Sequence, residues 1–173
     1  MTHVPIDSGR EVPDLPYRFC VGIMLLNSQG RVWIGRRLPK WVGDKSAYVW
    51  QMPQGGLLKG EEPIEAAYRE LREETGVTSA DVIAEIPQWL TYDLPEPLVG
   101  VALKGRYRGQ RQRWFAMRFR GDDSEIDISP RGDKAEFDQW RWCDMGELPD
   151  LIVSFKKPVY QTVVETFAHL SQS

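Results

Sequence analysis

An α+β sandwich, with helices packed on the faces of a mixed sheet, is the fold class this sequence predicts. Two stretches carry apolar residues at helical spacing, one starting at Pro63 and one between Phe155 and Leu170. The other apolar runs are short, rich in β-branched and aromatic residues, and bounded by turn residues. A mixed set of strands with one helix early and one late implies a sheet whose faces the helices cover.

Residues 1–16 carry Pro5, Pro13 and Pro16 without any periodic pattern and read as a flexible N-terminal tail. Residues 17–173 then form one domain, the count expected for a chain of 173 residues. Cys20–Asn27 and Arg31–Gly35 read as two strands joined by a turn at Asn27–Gly30, with Arg36 and Arg37 at the second strand's end. Pro39–Tyr48 is a polar loop, and Val49–Met52 a short strand leading to a Gly55-Gly56 turn. Pro63 suits a first helical turn, and Gly76 suits a helix end. Ile64, Ala67, Tyr68, Leu71 and Thr75 make one face of the helix between them.

Ala80–Tyr92 is extended, with Ile83, Ile86, Trp89 and Leu90 as buried candidates. Asp93–Arg111 reads mainly as loop, Gln112–Phe119 as a strand, and Gly121–Asp133 as turns. Phe137–Cys143 is a further strand, and Leu148–Val153 leads into a last helix bearing Val159, Val163, Thr166, Phe167 and Leu170.

Composition narrows the function classes. The net charge of −3 does not suggest bulk attraction to nucleic acid, and no DNA partner is expected. Cys20 and Cys143 are too few for a disulfide framework and read as small core residues. No apolar run reaches membrane-spanning length and no apolar signal core stands at the N-terminus, so a cytoplasmic protein is expected.

The stretch that carries chemistry is GGLLKGEEPIEAAYRELREETGV, Gly55–Val77. On its helix Glu70, Glu73 and Glu74 share one arc, with no cationic residue on that arc to neutralise them. Such like-charged neighbours cost about a few tenths of a kcal/mol each on an isolated helix. A hard divalent cation such as Mg²⁺ or Mn²⁺, which prefers oxygen ligands, would explain the cluster.

From Gly55 the order is Gly, five residues, Glu61, seven residues, then Arg69-Glu70-Leu71-Arg72-Glu73-Glu74-Thr75-Gly76-Val77. This resembles the Nudix box, Gly-x5-Glu-x7-Arg-Glu-apolar-x-Glu-Glu-x-Gly-apolar, with every fixed position filled. The resemblance implies the Nudix fold, an α/β/α sandwich with a central mixed sheet. It also implies hydrolysis of a diphosphate linked to another moiety, by water, with Mg²⁺ or Mn²⁺. By resemblance Glu70 and Glu74 are metal ligands, Glu73 is a ligand or water-positioning group, and Gly55 offers a backbone carbonyl. Arg69 is expected to orient a box carboxylate, which completes a catalytic set of Glu70, Glu73, Glu74 and Arg69. Glu61 is either a box residue or a first-turn helix acid. The general base is Glu70 or Glu136.

Glu136 begins Glu136-Phe137-Asp138-Gln139-Trp140-Arg141-Trp142. This is similar to a Glu-Phe-x-x-Trp-Arg-Trp segment in the Nudix branch of bacterial RNA pyrophosphohydrolases and dinucleoside polyphosphate hydrolases, where that Glu reaches the metals. Tyr17-Arg18, Trp50–Gly56, Trp89–Pro95, Gly109–Phe115 and Val153–Lys156 resemble the same branch. The loop between Pro39 and Val49 is longer than the resemblance implies. The expected substrate is a 5′-triphosphate RNA, from which pyrophosphate is removed, and the alternative is a nucleotide polyphosphate such as diadenosine tetraphosphate. Arg37 and Phe155 would sandwich a base, Lys156, Arg111 and Arg113 would meet phosphates, and Tyr92 would offer a hydroxyl. A silent nucleotide-sensing module is the competing class, and the complete set of box carboxylates speaks against it.

Overall fold

The computed structural model describes residues 14–130 and 135–171. Most of the expected tail, and the end of the expected 121–133 turn segment, lie outside the described residues.

Helix α1, Pro63–Thr75, forms where Pro63 sets the first turn and Gly76, in the left-handed conformation at φ 76°, returns its N–H to Arg72 O. Its buried stripe is Ala66, Ala67, Leu71 and Thr75. Ile64 and Tyr68, expected inside, are exposed, because the helix is rotated toward Ala66. That rotation also brings Glu70 and Glu74 to the margin of the buried stripe, with only Glu73 facing out.

Strands β1 (Tyr17–Leu26), β2 (Val32–Arg37), β3 (Trp50–Gln51), β4 (Gln54–Gly56), β5 (Ala80–Asp93), β6 (Gly109–Phe119) and β7 (Phe137–Cys143) share one mixed sheet. β1 lies at its centre. It runs parallel to β6 from Tyr17↔Gly109 to Leu26↔Arg118, and antiparallel to β4 through Cys20↔Gly56. The β1–β2 hairpin holds register only at Leu26↔Val32, and β2 then turns to pair with β3 and β7. The sheet is therefore split between β4 and β2.

Alternation along β1 sends Val21, Ile23 and Leu25 to one face and Met24 and Leu26 to the other. The first face packs under α1, and the second under α2 (Leu148–Leu151) and α3 (Lys157–Phe167). Helices thus cover both faces, as the sequence predicts. Burying Leu71, which is 1% exposed, is worth roughly 2 kcal/mol.

Four details differ from the sequence reading. Gln54–Gly56 is strand β4 rather than a turn, because its backbone completes the edge of β1. Gly109–Arg111 belongs to β6, not to the preceding loop. Ile83 and Trp89 on β5 are exposed, because bulges after Val82 and Ile86 break the alternation. On α3, Tyr160 is buried and Thr166 is exposed. Both cysteines are buried free thiols, which burial pushes up to about 11 for Cys20 and about 12 for Cys143.

Candidate active site

A cavity opens where the sheet splits. One wall carries Gly55, Glu70, Glu74 and Glu136, and the other Arg37, Tyr92, Phe155 and Lys156. An adjoining depression is lined by Glu70, Glu73, Glu74 and Glu136. The fold therefore joins the three acids of α1 to an acid just before β7 and to a wall of cationic and aromatic side chains from β2, β5 and the turn before α3.

The acid wall is organised by Arg69. Its guanidinium donates to Glu61 Oε2 and Oε1 at 2.8 Å each, to Glu70 Oε1 at 2.8 Å, to Glu73 Oε2 at 3.2 Å and to Gly56 O at 2.8 Å. The expectation of an arc without a cation is thus corrected. The long Arg69 side chain, which begins beside the arc, reaches two of its three acids. Glu61 is not a first-turn acid either. It precedes the helix, accepts from Leu58 N–H at 3.0 Å, and is held down to about 2 by the Arg69 hydrogen bonds.

Burial raises the Glu70 carboxyl above the ordinary carboxylate range, against the pull of Arg69. Glu74 is raised further, by burial first and then by the negative charges of Glu136 and Glu70. Its Oε2 accepts from Gln54 N–H at 3.1 Å. Glu136 is held by Lys40, whose Nζ lies 2.9 Å away. Gly55 is where a side chain is excluded, since a Cβ there would stand 2.0 Å from Glu70 Cδ. The 39–49 loop that supplies Lys40 also supplies Trp41 and Ser46 to the cavity lining.

Among the described residues no three His, Cys, Asp or Glu side chains stand together as a ready metal cluster. The donors themselves fit a hard divalent cation. They are all carboxylates, and Glu70 and Glu136 raise the Glu74 carboxyl electrostatically, a repulsion a cation between them would reverse.

On the opposite wall Lys156 is buried and pushed down to about 7, by burial first and then by the charges of Lys40 and Arg37. Its Nζ stands 5.5 Å from the Tyr92 ring centre, and Phe155 lies against the same ring at 5.6 Å. Arg37 is buried and committed to protein partners. Its Nη1 donates to Asp44 at 2.9 Å and Ser46 at 3.0 Å, and its guanidinium covers Trp41 at 5.7 Å.

Arg111 and Arg113 do not line the cavity. Position parity on β6 turns them to the α1 face, away from Gln110 and Gln112. Arg111 sits over Tyr17, while Arg113 donates to Ile86 O at 3.1 Å. Sequence reasoning missed several lining residues, namely Arg18, Lys40, Trp41, Gln54 and Gln110. The spacing of Gln110, Gln112 and Trp114 was a usable signal, since residues two apart on a strand share a face. Gln112 donates to Gln54 at 3.1 Å and Gln110 at 2.8 Å and accepts from Trp114 Nε1 at 3.1 Å. Gln51 also lines the cavity, with neither amide atom partnered among the described residues.

A family profile for the NUDIX domain matches residues 16–163. The RNA pyrophosphohydrolase of Mesorhizobium japonicum is 57% identical over 162 residues, covering 91% of this chain and 94% of its own. That of Rhizobium meliloti is 58% identical over 163 residues, covering 91% and 96%. Among solved structures, the MutT protein from Methanosarcina mazei Go1 matches with a TM-score of 0.64 at 17% identity, over 88% of this chain and 96% of that one. A C. elegans Ap4A hydrolase matches with a TM-score of 0.60 at 16% identity, over 88% and 98%. At such identities the structural likeness speaks to the fold alone.

Proposed function

Because the chain belongs to the Nudix family, we propose that residues 17–173 act as one domain that removes pyrophosphate from the 5′-triphosphate end of RNA. The observation that carries this reading is the cavity itself, which faces a carboxylate wall with Lys156, Arg18, Arg37, Tyr92 and Phe155. Relatives 57% and 58% identical bear the name RNA pyrophosphohydrolase, which supports the same substrate. The cytoplasm, where RNA with a triphosphate end is made, is the expected compartment. No helix among the described residues is long and apolar enough to cross a membrane.

Glu70, Glu74 and Glu136, with Glu73 and the Gly55 carbonyl, would hold Mg²⁺ or Mn²⁺. When bound, the metal neutralises phosphoryl charge and acidifies the attacking water. Arg69 holds Glu70 and Glu73 in place and fixes the Gly56 carbonyl. Lys156 and Arg18 meet the polyphosphate as cations, and Phe155 stacks on the first base. Water attacks a phosphorus, the anhydride bond breaks, and pyrophosphate leaves a 5′-monophosphate end behind. The water's proton goes to Glu70. Burial raises the Glu70 carboxyl, which favours its taking up a proton, while the Glu136 carboxylate is engaged by Lys40 at 2.9 Å.

The test is turnover of triphosphorylated RNA and diadenosine tetraphosphate side by side with Mg²⁺. Release of pyrophosphate from RNA, lost by several orders of magnitude in Glu70→Gln, is expected. Brisk cleavage of the dinucleotide without reaction on RNA would replace the reading by dinucleoside polyphosphate hydrolysis. Undiminished Glu70→Gln activity would remove the metal-site assignment.

A further inference from the structure

One surface remains unused by the cavity, and it is built of aromatic rings and arginines. Tyr17 and Phe19 share the β1 face of Val21, Ile23 and Leu25, which turns toward α1, and Arg111 and Arg113 share the β6 face of Phe115 and Met117. Phe19 stands directly opposite Arg111 in the parallel register. Two guanidinium groups, of Arg108 and Arg111, each lie 4.7 Å from the Tyr17 ring centre. Phe19 and Trp89 meet edge to face at 5.1 Å, and Arg113 lies 5.7 Å from the Trp89 ring. Phe19 is 48% exposed and Trp89 37% exposed, where a sheet face of this kind is ordinarily covered. The chain Arg108–Tyr17–Arg111–Phe19–Trp89–Arg113 is thus one continuous strip on the face that α1 leaves open.

We propose that this strip is a binding platform for single-stranded RNA downstream of the 5′ end, resting on the reading that RNA is the substrate. The chemistry matches one class of ligand. Exposed aromatic rings on a sheet stack on bases without demanding their identity, and interleaved arginines meet phosphates. Acids within the strip are committed. Asp93 accepts from Arg108 at 3.0 Å, and Glu85 lies 3.6 Å from Arg113. Arg111 makes its described contact through the Tyr17 ring alone, which leaves its donors for a phosphate. The protein is acidic as a whole, at −3, so three arginines on one aromatic strip are a local departure and not a general surface property. Arg18, beside Tyr17 and Phe19 on β1 but turned the other way, lines the cavity. An RNA whose first nucleotides occupy the cavity reaches the strip by passing round the start of β1, where Arg18 separates Tyr17 from Phe19.

The experiment compares wild type with Phe19→Ser/Trp89→Ser and with Arg111→Gln. A 5′-hydroxyl oligoribonucleotide of about 12 nucleotides measures binding without the cavity's triphosphate, by fluorescence anisotropy. Wild type binds it, and the double variant loses about tenfold or more in affinity, as removal of stacking rings implies. The KM for a triphosphorylated RNA of the same length rises similarly. kcat, and the KM for a triphosphorylated dinucleotide, stay at wild-type values, which also shows that the variants fold. Equal RNA affinity in wild type and the double variant overturns the platform. So does a wild type that binds no RNA but self-associates through this face, with the double variant monomeric. Strip-dependent binding of RNA by a protein that never releases pyrophosphate from RNA would leave the platform standing and remove the proposed substrate.

Discussion

The Lys40 ammonium lies 2.9 Å from the Glu136 carboxylate, so a loop residue neutralises an acid of the candidate metal wall. A cation bound to Glu136 competes with Lys40 for the same oxygen. Replacing Lys40 by Met therefore tightens Mn²⁺ binding, by about two- to fivefold, the modest scale of a half-exposed pair. Calorimetric titration of Mn²⁺ into wild type and Lys40→Met checks this, and unchanged or weaker binding would refute the competition.

Glu74 links stability to pH. Its carboxyl is raised in the folded protein, so folding takes up protons between the ordinary carboxylate range and the raised value. Stability of the metal-free protein is then fully present at the acid end of that window and is lost as pH rises through it. Added Mg²⁺ should raise the melting temperature more at the upper end than at the lower. Glu74→Gln, which keeps the shape and removes the charge, flattens both trends. A series of thermal melts with and without Mg²⁺ decides.

Lys156 gives the opposite slope at higher pH. Burial holds the amine at about 7, below its ordinary value near 10.5, so the unfolded chain binds the proton more readily between those values. That contribution destabilises below pH 7 and disappears as pH rises toward 10.5. For substrate the charged form matters. Affinity for a polyphosphate should fall as pH rises above 7, and Lys156→Arg should remove the fall by keeping its charge. A KM that is flat with pH in the wild type would exclude Lys156 as a phosphate contact.

Arg69→Lys tests the brace beneath the acids. Lysine cannot reproduce the fork that grips both Glu61 oxygens at 2.8 Å. A loss of roughly 2 kcal/mol in stability is expected near neutral pH. The gap between variant and wild type should close as pH falls toward 2, where Glu61 gains its proton. Denaturant midpoints across pH measure it, and a constant gap would mean that the Glu61 bonds contribute little.

What could be read in the sequence was local. Pro63, Gly76 and the apolar spacing between them define α1, and alternation with aromatics defines β7, both with the bounds observed. The acids of the box sit on one helix, so their clustering follows from helical geometry alone. Arg37 shows where legibility ends. The resemblance expects it against a base, and it does line the cavity, but Asp44 and Ser46 from the following loop also bury and hold it, a contact no periodicity encodes. The resemblance expects Arg111 and Arg113 to meet phosphates. Which face they occupy depends on strand parity and on β6 being an interior strand beside β1, and those follow from long-range pairing.

The parallel pairing of β1 with β6 has a consequence for how the enzyme comes into being. β1 is the centre of the sheet, yet its long edge has no partner until Gly109–Phe119 has been synthesised. Glu136 comes later still, just before β7, so the acid wall cannot assemble on the ribosome ahead of most of the sheet. Non-local pairing of this kind folds slowly and leaves an apolar strand edge open to other chains meanwhile. The nascent chain is therefore most exposed to aggregation between the emergence of β1 and that of β6, and has no assembled acid wall during the same interval.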